Sequence, residues 1–94
     1  GIGTDIASID RIQQALAEQG DRFTDRVFAP EERARVESTA KHDARRLAAG
    51  YAKRWAAKEA CAKALGSGIR DGVFLKDIVV INDGQGRPTL ILYG

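Results

Sequence analysis

The chain has 94 residues, enough for one hydrophobic core, so any elaborate site must be economical or shared with a neighbouring copy. Its 44% hydrophobic and 30% charged residues argue against disorder, and its longest apolar runs, Ile78 to Ile81 and Leu90 to Tyr93, are four residues, far short of a membrane span. A formal net charge of +2 names no partner by itself. The single cysteine, Cys61, excludes an internal disulfide framework and fits a reducing compartment. No charged-then-apolar leader is legible, and a cytoplasmic location is expected.

In chain order, Gly1 to Ile6 reads as a short strand. Ser8 is a suitable N-cap for a first helix carrying Ile9, Ile12 and Leu16, which Gly20 stops. A second helix is predicted to open at Pro30, with Glu31 and Glu32 in the first turn where the helix dipole favours acids, and to fade near Ser38 and Thr39. A long alanine-rich helix is predicted from about Asp43 to Leu65, its apolar stripe formed by Leu47, Tyr51, Trp55, Ala62 and Leu65. At 1.5 Å per residue it spans roughly 30 Å, and Gly66-Ser67-Gly68 ends it. Asp77 to Asn82 and Pro88 to Tyr93 then form an antiparallel hairpin around the glycine-rich loop 83–87. The expected class is α+β, a long helix packed on a small antiparallel sheet.

Charge is unevenly spread. Residues 41–63 hold seven basic side chains (Lys41, Arg45, Arg46, Lys53, Arg54, Lys58 and Lys63) against two acidic ones, Asp43 and Glu59. Such a strip attracts phosphates, nucleic acid or acidic proteins, although a solvated helix face is the plainer reading.

Three residues suggest chemistry. Asp5 ends the first strand, and Glu59 and Lys63 are i and i+4 on the long helix, projecting from one face. If Asp5 faces the same volume, two carboxylates meet the needs of Mg²⁺, which takes hard oxygen ligands and leaves positions for water and phosphate. Lys63 suits a phosphate partner, and the backbone N–H groups of Gly66 to Gly68 suit close anion approach. Taken singly, Asp5 is as readily a turn residue, and Glu59 with Lys63 an ordinary surface pair. His42 reads as a surface residue. Cys61 lacks an acid–base partner and reads as a small buried side chain.

Gly1-Ile2-Gly3-Thr4-Asp5-Ile6, then Arg54-Trp55-Ala56-Ala57-Lys58-Glu59-Ala60 with Lys63, then Leu65-Gly66-Ser67-Gly68-Ile69, resembles the holo-(acyl-carrier-protein) synthases, the small bacterial phosphopantetheinyl transferases. Asp77-Ile78 to Gly86-Arg87-Pro88 also agrees in order and spacing. The resemblance implies Mg²⁺-dependent transfer of 4′-phosphopantetheine from coenzyme A to a serine of apo acyl carrier protein, in fatty acid biosynthesis, releasing adenosine 3′,5′-bisphosphate. It implies Asp5 and Glu59 as metal ligands. Glu59, directly or through a metal-bound water, is the candidate base, and Lys63 a charge stabiliser or acid. Arg54, Lys63, Gly66, Ser67 and Gly68 would contact coenzyme A, and Arg11, Arg22 and Arg26 would dock the acidic carrier. The family is homotrimeric, with sites at subunit interfaces. Its members continue past the hairpin, so residues 1–94 are expected to be a single transferase domain without those final strands.

The competing expectation is a small basic α+β module that binds RNA or an acidic protein without catalysis. It would need aromatics on an exposed sheet face, where Phe74 and Tyr93 are the available ones. A third expectation is a degenerate transferase fold kept for assembly alone.

Overall fold

A computed structural model describes residues 6–64, 75–82 and 88–93. Helix α1 (Ile6–Gln19) is followed by α2 (Asp21–Val27), α3 (Pro30–Ala40) and α4 (Ala44–Ala64), then a 3-10 turn (Leu75–Asp77) and strands β1 (Ile78–Asn82) and β2 (Pro88–Leu92). The fold is α+β as expected, mostly helical with a two-stranded antiparallel sheet. Val79 pairs with Ile91 and Val80 with Leu90, and Tyr93 N–H donates to Asp77 C=O at 2.9 Å.

The helix boundaries have local causes. Gly20, at φ 55°, breaks the chain between α1 and α2, a backbone conformation that costs glycine little. Pro30 opens α3 at a position where its missing N–H is no loss. The Asp43 carboxylate accepts from the N–H groups of Arg45 (3.0 Å) and Arg46 (3.1 Å), capping the start of α4. Lys41 and His42 make the tight connection before it, both with positive φ.

Two expectations change, and a third is tested at Ile6 alone. Ser8 is not a cap, because α1 already includes Ile6 and Ala7 ahead of it. The expected first strand falls, apart from helical Ile6, outside the described residues. Helix α2 was not anticipated: it is seven residues long and stands by burying Phe23, Thr24 and Val27 rather than by local propensity. Arg33 fastens it to α3 by ion pairs with Asp21 (2.9 Å) and Asp25. Leu65, the hairpin loop 83–87 and Phe74 lie outside the described residues.

The core joins Ile12 of α1, Phe23 and Val27 of α2, Phe28, Val36 of α3, and Ala48, Tyr51 and Ala52 of α4. Phe28 lies with its ring centroid 4.6 Å from that of Tyr51 and 6.0 Å from that of Phe23, the latter pair edge-to-face. Of the predicted α4 stripe, Tyr51 and Ala62 are buried while Leu47 and Trp55 are half-buried against the core. The result holds α4 along the centre of the domain, with α1 and α2 on one flank and α3 on the other.

Candidate functional site

The second half of α4 shows two adjacent faces. Lys58 and Ala62, four residues apart, point inward and are buried. Glu59 and Lys63 form the adjacent stripe and are exposed. Among the described residues neither carries an ion pair, so the expected surface bridge between them does not form and both charged ends are open to a ligand. The Glu59 carboxylate therefore has the hard, unengaged oxygens a divalent cation takes. Among the described residues no cluster of three or more His, Cys, Asp or Glu side chains exists. Mg²⁺ does not need one, since one or two carboxylates serve when waters and phosphate oxygens complete the shell. Asp5, Gly66, Ser67 and Gly68 lie outside the described residues.

A bay of about 370 Å³ opens between α3 and α4. Arg35 of α3 and Arg46, Lys53 and Arg54 of α4 line it, with no carboxylate among its lining residues. Arg54 Nε is buried and has no hydrogen-bond partner among the described residues. Burial draws the Arg54 guanidinium below its ordinary value; nearby Glu32 opposes this and Arg35 adds like-charge repulsion. Cations crowded in this way favour an arriving anion. Arg54 was legible as a candidate, whereas Arg35 was not, because it reaches the bay from a different helix.

On the other flank of α4 an apolar groove of about 400 Å³ runs between α1, α2 and α4. Ile12, Ala15, Phe23, Val27, Trp55 and Leu75 line it, and Arg11 and Arg26 stand among them. Two of the three proposed docking arginines thus share one groove, while Arg22, exposed on α2, does not line it. Trp55 and Glu59 are i and i+4, so the groove and the open carboxylate follow one stripe of the helix.

The basic strip at 41–63 does not survive as a continuous face. Lys58 is fully buried, and Arg45 crosses to α1, where it bonds Asp10 at 2.5 Å and Gln13 at 3.0 Å. The Lys58 ammonium donates to Glu32 Oε1 at 2.6 Å, to the Leu75 carbonyl at 2.7 Å and to the Ile78 carbonyl. Glu32 in turn accepts from Ala29 N–H and Val80 N–H, both at 2.9 Å. Burial pulls the Lys58 ammonium below its ordinary value, and the bonded Glu32 carboxylate pulls the other way. Glu32 had been expected to serve the dipole of α3; it also reaches into the core. His42 is exposed as expected, whereas Cys61 is half-buried rather than buried.

The family model for the 4′-phosphopantetheinyl transferase superfamily matches residues 1–94. The chain belongs to that superfamily. A holo-(acyl-carrier-protein) synthase from Cereibacter sphaeroides is 53% identical over 94 residues, all of this chain and 65% of that protein. The chain therefore spans a little under two thirds of that relative's length. Among solved structures, an acyl carrier protein synthase from Plasmodium yoelii with ADP bound matches at a TM-score of 0.74 and 36% identity, covering 98% of this chain and 67% of that one. A holo-(acyl-carrier-protein) synthase from Bacillus anthracis in complex with coenzyme A (3′,5′-ADP) matches at 0.71 and 37%, covering 98% and 74%. The superfamily resemblance read from the motifs is thereby shown, and the arrangement around α4 is the fold these structures share. No helix among the described residues is long and apolar enough to cross a membrane.

Proposed function

We propose that this protein transfers 4′-phosphopantetheine from coenzyme A to a serine hydroxyl of an apo acyl carrier protein, releasing adenosine 3′,5′-bisphosphate. The observation that carries the reading is the layout of α4: open Glu59 and Lys63, a four-cation bay on one flank, and an arginine-bearing apolar groove on the other. The names of the relatives point the same way.

The bay between α3 and α4 takes the negatively charged coenzyme, with Arg54 and its neighbours facing the phosphates. The groove receives an amphipathic helix of the carrier, apolar side chains toward Trp55 and Phe23 and acids toward Arg11 and Arg26. Arg22 belongs to the outer rim of that contact. The serine oxygen attacks the pyrophosphate phosphorus nearest the pantetheine, and the bond to the bridging oxygen breaks. Glu59 takes the hydroxyl proton, and Lys63 neutralises charge on the leaving bisphosphate. Asp5 and Glu59 would hold Mg²⁺, which when bound supplies positive charge against the pyrophosphate. Gly66, Ser67 and Gly68 would add backbone donors. A homotrimer with interfacial sites, a cytoplasmic location, a place in fatty acid biosynthesis and a single transferase domain over residues 1–94 complete the proposal.

The RNA-binding reading gains no support from the cations of the 41–63 strip, most of which pair off, bury or converge on a bay instead of forming one open face. The deciding experiment incubates the full-length protein with coenzyme A, Mg²⁺ and apo carrier protein. The phosphopantetheine mass increment on the carrier is expected. Its absence, under conditions where another member of the superfamily works, overturns the reading.

A further inference from the structure

Lys58 and Glu59 are neighbours in sequence with opposite surroundings, one excluded from solvent and one exposed. Successive helix residues are about 100° apart, so whatever fixes the direction of Lys58 fixes that of Glu59. The inward face of α4 beyond Trp55 consists of Lys58 and the small Ala62. Ala62 packs without directional preference and permits a helix to slide or turn. Lys58 does not. Its three N–H donors are all used, on Glu32 of α3, Leu75 of the 3-10 turn and Ile78 of β1. The Glu32 carboxylate is itself held by Ala29 N–H and Val80 N–H. Rotating α4 would break bonds to three separate elements, leaving the buried Glu32 carboxylate and Ile78 carbonyl and the half-buried Leu75 carbonyl without this partner. The Glu59 side chain has no partner of its own among the described residues, so its aim comes from the helix backbone.

We propose that Lys58, clamped by Glu32, is a positioning residue that sets the rotation of α4 and so aims Glu59 at the reacting pyrophosphate. This rests on the transferase reading above. The clamp meets the groove at the backbone carbonyl of Leu75 and the bay through the charge of nearby Arg54, so its main effect falls on the chemical step and on the Glu59-dependent part of coenzyme binding, and carrier docking, which rests on the side chains of the groove, changes little. An arginine at position 58 keeps the charge but offers a planar fork where three acceptors converge on one ammonium. Glu32→Asp keeps both charges and withdraws the carboxylate by a methylene.

The test compares the full-length wild type, Lys58→Arg and Glu32→Asp at a temperature where circular dichroism shows each folded. Calorimetry measures coenzyme A binding with and without Mg²⁺, and steady-state kinetics separate kcat from the KM of the carrier. For Lys58→Arg, kcat per folded molecule is expected to fall by about tenfold or more, the loss typical of a misaimed group. The Mg²⁺-dependent gain in coenzyme affinity should shrink with it, while carrier KM stays within about twofold. Glu32→Asp should show the same pattern at smaller size, and it carries the test should Lys58→Arg fail to fold. Variants whose activity loss merely tracks the unfolded fraction, with wild-type Mg²⁺-dependent binding, overturn the positioning role and leave the transferase reading standing. A wild type that neither binds coenzyme A nor transfers overturns both.

Discussion

Lys58 Nζ lies 2.6 Å from Glu32 Oε1 with both side chains wholly shielded from water. Two bare charges in such a place are costly, and removing one partner of a buried pair typically costs about 3–5 kcal/mol. Lys58→Met and Glu32→Leu should each lower the unfolding free energy by about that amount, read from urea titrations. For an isolated pair the double replacement often restores stability. Here the pair also satisfies the carbonyls of Leu75 and Ile78 and the N–H groups of Ala29 and Val80. The Glu32→Leu/Lys58→Met protein should therefore stay well below wild type, each orphaned backbone group costing about 1–3 kcal/mol.

Gly50 sits inside α4, where alanine would ordinarily gain about 0.5–1 kcal/mol. An added Cβ would meet Val36 Cγ1 at 2.9 Å, closer than packed side chains approach, with Cγ2 in ordinary contact at 3.6 Å. Val36 is buried and β-branched, with one favoured rotamer on a helix, so it cannot swing aside. Gly50→Ala is expected to destabilise by about 1–3 kcal/mol, the usual penalty of overpacking. Combined with Val36→Ala, the two changes should cost less than the sum of their separate effects, a coupling that thermal melts will show.

Tyr51 carries a buried hydroxyl that makes no well-formed hydrogen bond among the described residues, although the Arg33 guanidinium lies close enough to favour its ionised form and Glu37 opposes this. Burial, with Glu37 adding to it, raises the phenol above its ordinary value. The unfolded chain then gives up this proton first as pH climbs past about 10. The contribution to stability is full below that pH and is lost as pH rises through the folded value. Tyr51→Phe should leave stability at pH 7 unchanged or raised by up to about 1 kcal/mol. It should also soften the alkaline fall measured by urea midpoints between pH 8 and pH 11.

How far these features could be read in advance depended on their range. The span of α4, the hairpin strands and the shared face of Glu59 and Lys63 follow from local spacing, and the structure keeps them. Lys58 was counted in a solvated basic strip because a linear tally of charge does not see which way a helix is turned. Glu32 occupies a first-turn position that a dipole argument already explains, so nothing local hinted at its inward reach. Helix α2 depends on Phe23 and Val27 finding the core, and Arg35 joins the bay only through the packing of α3 on α4. Tertiary contact, absent from any short window, decides all four.

The cationic bay makes a prediction that separates it from the carboxylate site. Lys53 is exposed on α4 and lines the bay with Arg35, Arg46 and Arg54. Lys53→Glu reverses one charge without removing a core contact. Coenzyme A should bind about tenfold more weakly by calorimetry, with the deficit narrowing as salt screens the exposed charges. Thermal stability should stay within about 0.5 kcal/mol of wild type, as for surface changes generally.

Glu59→Gln tests the site itself. The amide has nearly the shape of the carboxylate, the side chain is exposed, and among the described residues it makes no bond that the change would break. The fold should therefore be untouched, with stability within about 0.5 kcal/mol of wild type. Chemistry should not be. A glutamine cannot take the serine proton and is a poorer oxygen donor to a divalent cation, so transfer should fall by roughly 10²–10⁴-fold. Carrier binding should persist, because Arg11, Arg26 and Trp55 line a groove that Glu59 does not. Mass spectrometry of the carrier after a single turnover, beside a pull-down of carrier by the variant, checks both halves. A Glu59→Gln protein that transfers at the wild-type rate would move the base to another residue while leaving the groove and the bay as they stand.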